Sequence, residues 1–331
     1  MIVTRTPFRV SFFGGGTDYP PWFRQYGGAV LATTIDKYCY ISCRHLPQFF
    51  DHKHRIVYSA IENVSDIDEI KHPAVREVLR WAGVDKGLEV HHDGDLPARS
   101  GLGSSSSFTV GLIKALAALD GRIVSKEQLA ADAIHIEQNL IKENVGSQDQ
   151  ISAAFGGFNK VVFHQNDTFD VEPIILKKER QEELESHLML FFTGFSRIAS
   201  EVAGSKIANL VNREQELKRM YQMVDEAIEI LQNDKTSIEA FGALLHQSWQ
   251  LKRNLSQKVT TPEIDVLYEM AMRAGAIGGK ILGAGGGGFL LIFARPEIQP
   301  LVRSALSHLI HVPFKFENSG SRVVLYHPNG L

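Results

Sequence analysis

The segment Gly101-Leu-Gly-Ser-Ser-Ser-Ser107 constrains this chain more than any other. A Gly-x-Gly turn runs straight into four serines, and apolar residues then recur at 108, 112, 116 and 119, the spacing of a helix over 104–119. Glycines let a backbone approach a ligand closely. The first N–H groups of a helix lack internal partners and carry the positive end of its dipole, so such a turn is a ready phosphate site. The hydroxyls could donate to phosphate oxygens or ligate Mg²⁺; one serine could equally serve only as a helix cap. No Walker-type Gly-x4-Gly-Lys-[Ser/Thr] sequence occurs, because Gly279-Lys280 is followed by Ile281. ATP, if bound, does not sit in a P-loop fold.

Strand and helix patterns alternate around that turn. Residues 8–13, 29–44 (as two strands), 55–59 and 87–92 read as strands, and 74–82 and 126–142 as helices. Residues 157–163 and 169–176 read as a hairpin across Asn166-Asp167. The highly charged stretch 177–187 marks the expected boundary between domains 1–180 and 181–331. Beyond it come a strand at 188–192, long amphipathic helices to about Ala274, a glycine-rich turn, a strand at 289–294, a helix at 297–309 and a strand at 322–326. The class is α+β.

With 331 residues, 44% of them hydrophobic, the chain can bury a sizeable core. A net charge of -3 gives no reason to expect nucleic acid or a membrane surface as partner. Nothing resembles a signal peptide or a spanning segment, so a cytoplasmic enzyme is expected. Cys39 and Cys43, the two cysteines, read as core residues of a strand in a reducing compartment.

Two further glycine-rich places stand out, Gly14-Gly-Gly-Thr-Asp18 and the run 278–293. The second contains Gly283-x-Gly285-x-x-Gly288, formally a dinucleotide fingerprint. A strand follows it where the fingerprint requires a helix, which argues against a nicotinamide oxidoreductase. It reads better as a turn packed against a ligand or a neighbouring loop. Glu137 falls inside the apolar stripe Leu129, Ala133, Ile136 and Leu140, where a carboxylate needs a buried arginine or a metal. Asp149, in Gly146-Ser-Gln-Asp-Gln150, could accept a hydroxyl proton or cap the helix that follows. Asp18 has a turn reading as well. His91 and His92, neighbours on a strand, point to opposite faces and cannot easily share a metal; His52 and His54 are read the same way.

In order and spacing these segments resemble the GHMP kinase superfamily of galactokinase, homoserine kinase, mevalonate kinase and phosphomevalonate kinase. The resemblance implies a ribosomal S5 domain 2-like N-terminal domain and a ferredoxin-like C-terminal domain, with ATP and a sugar in the cleft between them. Backbone N–H groups from Gly101 and Leu102 through Gly103, Ser104, Ser105 and Ser106 would cradle the phosphates. Glu137 and Ser105 would hold Mg²⁺. Asp149 would act on the attacking hydroxyl, with Arg9 beside it near the transferred phosphoryl. Gly15, Gly16 and Thr17 would line the sugar site, Asp18 would hydrogen-bond sugar hydroxyls, and the turn with Gly285 and Gly286 would adjoin nucleotide and substrate.

Galactokinases carry Glu-His where this chain has Gly15-Gly16. The form Phe12-Phe-Gly-Gly-Gly-Thr-Asp-Tyr-Pro20, with residues 192–201, is similar to that of D-glycero-D-manno-heptose 7-phosphate kinases, which make the 1,7-bisphosphate on the way to GDP-heptose and bacterial surface glycans. Fucokinases share a related Gly-Gly-x-Thr-Asp form. A distal phosphate would need a cation, for which Arg197, then Lys206 and Arg99, are the candidates. The expected partners are thus a sugar phosphate and ATP, with a homodimer compatible. The competing readings are another sugar 1-kinase of the superfamily and a non-catalytic nucleotide-binding sensor.

Overall fold

The computed structural model describes residues 1–98, 100–194 and 199–328, with the side chains at 199–201, 206, 208, 210 and 211 outside that set. β1 (Ile2–Phe13) opens the chain, and α1 (Pro20–Tyr26) starts on two prolines and stops at Gly27. β2 (Gly28–His45) is one strand of 18 residues where the sequence suggests two. Its length lets it pair with β1 and with three later strands. β3 (His54–Val57) and β4 (Ile61–Val64) form a hairpin. α2 (Pro73–Trp81) is capped by the His72 ring, which accepts from the Val75 N–H. β5 (Leu88–Gly94) runs antiparallel to β2 and parallel to β3.

α3 (Ser104–Leu119) spans the sequence-predicted residues and is buried on nearly every side. Gly111 allows its close approach to β1: a Cβ there would lie 2.9 Å from the Thr6 hydroxyl oxygen. The Thr4 hydroxyl donates to the Gly111 carbonyl at 2.9 Å. The middle of α3 is therefore held against β1. α4 (Lys126–His135) is shorter than expected, because the helix continues as a π turn over Ile136–Leu140. Such turns re-aim side chains and concentrate at functional sites; this one carries Glu137. α5 (Gln148–Phe155) follows, then the expected hairpin of β6 (Phe158–Phe163) and β7 (Phe169–Pro173).

The charged stretch forms α6 (Lys178–Ser186), anchored where the Arg180 guanidinium donates to the Ile230 and Thr236 carbonyls. β8 (Leu188–Phe192), α7 (Ala199–Asn209), α8 (Glu214–Gln232), α9 (Glu239–Arg253) and α10 (Pro262–Arg273) come next. β9 (Gly278–Ile281), β10 (Phe289–Phe293), α11 (Gln299–Ala305) and β11 (Ile310–His311) complete this half. Among the described residues β11, β8, β10 and β9 form an antiparallel sheet in that order. β12 (Phe316–Glu317) and β13 (Arg322–Tyr326) return to the first sheet, on β2 and β1.

We propose a domain cut near residue 180, at α6. The tail crosses it, so 181–331 is not one continuous unit: β12 and β13 complete the first sheet. The two halves also share a core. Phe241 of α9 meets Phe12 and Phe13 of β1 edge-on at 5.4 and 5.1 Å. A second cluster around Trp249, Tyr268, Leu290 and Ile292 backs the smaller sheet. Cys39 and Cys43 are buried and free, and burial pushes the Cys43 thiol up to about 12. Among the described residues no helix is long and apolar enough to cross a membrane.

Candidate active site

The three glycine-rich segments meet at one cleft. Gly101, with φ 85°, and Gly103, with φ 75°, make the turn into α3, and no serine side chain caps the helix. The loop is held by its carbonyls. Ser100 accepts from the Phe289 N–H at 3.1 Å, Gly101 from the Arg9 guanidinium at 2.6 Å and Leu102 from the Arg9 N–H at 3.0 Å. Gly101, Gly103 and Ser104 to Ser106 line the cleft at the positive end of the helix. Leu102 is fully buried in the core and takes part only through its backbone.

The third segment packs on this loop. A Cβ on Gly283 would stand 2.5 Å from the Gly101 Cα, and one on Gly288 would stand 2.2 Å from the Ser100 oxygen. β9 precedes this turn and β10 follows it, so it is a strand–turn–strand and no dinucleotide site. Gly283 and Ala284 line the cleft. Gly285 and Gly286, expected at the substrate, face elsewhere: the Gly286 N–H donates to Val259 at 2.8 Å, and a Gly285 Cβ would meet the same carbonyl at 2.5 Å.

Packed against the same loop, Arg9 of β1 and Asp149 in the first turn of α5 form a two-pronged pair, both N–H···O distances 2.8 Å. Arg9 is buried and Asp149 is partly open to the cleft. Asp149 is thus committed to Arg9 and does not cap its helix. Asp18 is buried, with Oδ1 accepting from the Gly16 N–H at 2.8 Å and Oδ2 from Gln148 at 2.9 Å. Gly146 is required beside it, because a Cβ would lie 1.8 Å from Oδ2. Burial, then the charges of Asp18 and Asp149, push the Tyr19 hydroxyl well above its ordinary range.

Thr17, expected at the sugar, is structural. Its one hydroxyl proton lies between the Gly14 and Ala29 carbonyls, at 2.8 and 2.9 Å, and its oxygen accepts from the Ala29 N–H at 3.1 Å, all within the protein core. Thr17→Val is expected to destabilise the fold by about 1–3 kcal/mol, the cost of leaving buried partners unmade. Urea denaturation measures that loss, and an unchanged KM for the sugar separates it from a binding role.

Glu137 on the π turn is fully buried. Its Oε2 accepts from Ser106 at 2.9 Å and from Gln150, while Oε1 has no hydrogen-bond partner. Burial pushes its pKa up to about 7, against the polar pull of Thr109, Ser106 and Gln150. Ser105, the serine expected with it, opens onto the cleft, and the hydroxyl that bonds the carboxylate is that of Ser106. No arginine pairs with Glu137 among the described residues. A divalent cation fits this environment, because it would supply the charge and coordination that Oε1 lacks. Among the described residues no cluster of three or more His, Cys, Asp or Glu forms a protein-only metal cage.

Two buried lysines were not singled out from the sequence. Lys252 of α9 donates to the Ile281 and Gly283 carbonyls, and Lys280 of β9 to the Phe12 carbonyl, each at 2.7 Å. Both line the cleft and stitch the third glycine-rich segment to its surroundings. Lys280 lies in a short buried strand, where a lysine must find a partner. Arg99 and Arg197 lie outside the described residues, as does the side chain of Lys206.

A glycine turn at a helix N-terminus, with a guanidinium-held carboxylate packed beside it at the same cleft, is the arrangement phosphoryl transfer to a hydroxyl needs. The chain is a phosphotransferase with an alcohol group as acceptor. Residues 68–157 match the GHMP kinases N terminal domain and residues 227–310 the GHMP kinases C terminal domain. The chain is 32% identical over 307 residues to a D-glycero-alpha-D-manno-heptose 7-phosphate kinase of Campylobacter jejuni, covering 89% of this chain and 90% of that one. It is 26% identical to a galactokinase of Pyrococcus furiosus, with 87% of each chain covered. A crystal structure of a D-glycero-D-manno-heptose 1-phosphate kinase from Bacteroides thetaiotaomicron superposes with a TM-score of 0.80 at 24% identity, covering 99% of this chain and 100% of that one, which supports the fold. The chain belongs to the GHMP kinase family and is a sugar kinase of that family, with ATP as phosphate donor.

Proposed function

We propose that the chain transfers the γ-phosphoryl group of ATP to the anomeric C1 hydroxyl of D-glycero-D-manno-heptose 7-phosphate, giving the 1,7-bisphosphate. The observation that carries the reaction is the Arg9–Asp149 pair beside the phosphate loop. The sugar oxygen bonds to the γ-phosphorus as the bond to the β,γ-bridging oxygen breaks. ADP leaves, and the hydroxyl proton passes to Asp149. A lactol hydroxyl is more acidic than an ordinary alcohol, which eases that transfer. Arg9, bound to both Asp149 and the Gly101 carbonyl, fixes base and phosphate loop relative to each other. Glu137 with the Ser105 and Ser106 hydroxyls would hold Mg²⁺, which when bound neutralises charge on the phosphate oxygens.

The sugar is supported by the Campylobacter relative and by the open space at Gly15. A Cβ on Gly15 would have nothing nearer than 3.9 Å, and its φ is not left-handed. Gly15→Glu is therefore expected to fold and to fill the sugar side of the cleft. Heptose phosphate turnover should be lost while ATP still binds; unchanged turnover would defeat the assignment. The direct test is a ³¹P NMR time course with ATP, Mg²⁺ and the heptose 7-phosphate, with fucose and galactose in parallel. A new anomeric phosphate signal is expected only with the heptose phosphate. A signal only with a free sugar overturns the substrate and keeps the kinase.

A further inference from the structure

Two polar atoms on the sugar side of the cleft are buried without hydrogen bonds: Ser11 Oγ and Gln148 Oε1. Ser11 is 5% exposed. The amide orientation of Gln148 is chemically forced, because the end facing the Asp18 carboxylate must be the donating Nε2. Its Oε1 is therefore an acceptor awaiting a donor, whereas the Ser11 hydroxyl can donate or accept. Both residues flank Gly15 and line the cleft: a Cβ there would lie 3.9 Å from Ser11 Oγ and from Gln148 Nε2, in ordinary contact with each.

Their placement repeats that of the reacting pair. Ser11 is two residues beyond Arg9 on β1 and so shares its face, and Gln148 adjoins Asp149 at the start of α5. Strand and helix thus bring Ser11 and Gln148 to either side of Gly15, next in sequence to the bonded Arg9–Asp149 pair. Leaving two buried polar atoms unmade costs the free enzyme stability, and a polyhydroxylated ligand restores it.

We propose that Ser11 and Gln148 form the hydroxyl-recognition pair of this cleft and take the sugar hydroxyl beside the one that is phosphorylated. The inference rests on the sugar-kinase reading and not on the heptose. Sites built to hydrogen-bond a substrate hydroxyl reject the analogue that lacks it. The test crosses enzyme variants with substrates: unsubstituted enzyme, Ser11→Ala and Gln148→Met, each with the sugar phosphorylated in the NMR screen and with its 2-deoxy analogue. Should that screen favour another sugar, the heptose assignment falls and the same cross is run on the sugar accepted.

The unsubstituted enzyme is expected to prefer the full sugar by at least tenfold in kcat/KM. In either variant that preference should shrink to within threefold, with the KM for ATP unchanged. Ser11→Ala removes an orphaned hydroxyl, so its melting temperature should equal or exceed that of the unsubstituted enzyme even as sugar kcat/KM falls. The proposal is overturned if the unsubstituted enzyme uses the 2-deoxy analogue equally well, or if both variants keep the full preference. A parallel loss for both substrates with a rise in the KM for ATP also overturns it, because that is the mark of a merely structural role.

Discussion

Asp149→Asn is expected to lower kcat by about 10²–10⁴-fold, the range contributed by a positioned proton acceptor, while the KM for ATP changes little and the melting temperature falls modestly, because one N–H of the buried Arg9 loses its acceptor. The substitution is isosteric, and the amide oxygen can still accept one of the two bonds from Arg9. Arg9 also keeps its bond to the Gly101 carbonyl, so the phosphate loop stays in place. What disappears is the capacity to take a proton and the negative charge beside the attacking oxygen. Steady-state ADP release measures the rate, and circular dichroism checks the fold. Activity within tenfold of the unsubstituted enzyme would remove Asp149 from the chemistry and leave it as a partner that only orients Arg9.

Glu137→Gln is expected to move stability and activity in opposite directions. Burial raises the carboxyl to about 7, so the folded state holds a proton that the unfolded state has already released between pH about 4.5 and 7. Stability therefore falls as pH climbs through that window and stays low above it. A shift of this size corresponds to roughly 3 kcal/mol at about 1.4 kcal/mol per pH unit. Without divalent cation, Glu137→Gln should be the more stable protein at pH 8 by up to that amount, and no more stable at pH 4.5. The amide nitrogen replacing the unpartnered Oε1 offsets part of the gain.

Adding Mg²⁺ should raise the melting temperature of the unsubstituted protein at pH 8 and leave that of Glu137→Gln nearly unmoved, with kinase activity strongly reduced in the variant. Thermal melts at the two pH values, with and without Mg²⁺, read all of this. An identical pH slope in both proteins would show that Glu137 does not carry the titration. An equal response to Mg²⁺ would show that the cation binds elsewhere.

Both predictions concern residues whose positions are visible in the sequence; only the family resemblance set Arg9 beside Asp149, and the partners of Glu137 came from the structure. Glu137 stands out as a carboxylate in an apolar stripe, and Asp149 as an acid after a glycine turn. Nothing local couples Asp149 to Arg9, 140 positions away, or selects Ser106 over Ser105 beside Glu137, because the π turn that aims the carboxylate interrupts the helical period. Thr17 lies next to Asp18 in a glycine-rich turn and carries a polar side chain. Only its packing against Ala29 shows that the hydroxyl is consumed by backbone. Lys252 looks like an ordinary surface charge until α9 is folded onto the cleft, and Lys280, between glycine and isoleucine, shows its partner only once β9 is placed.

The sequence by itself determined what depends on near neighbours in the chain: the glycine turn into α3 and the extent of that helix, the β6–β7 hairpin, the strand that follows Gly288, and the α+β class; the strand before that turn, β9, came only with the structure. Backbone propensity and hydrophobic period act over a few residues, so these features can be read directly. The tertiary structure alone decided what depends on distant partners. β2 stays a single strand because β1, β5, β6 and β12 all pair along it, and the C-terminal strands cross back to the first sheet because β1 and β2 offer them free edges. Access to the cleft, which Asp18 has and Thr17 lacks though both are buried, and the burial that raises the Glu137 carboxyl are properties of the assembled fold, since the cost of a polar group depends on which partners the rest of the chain brings to it.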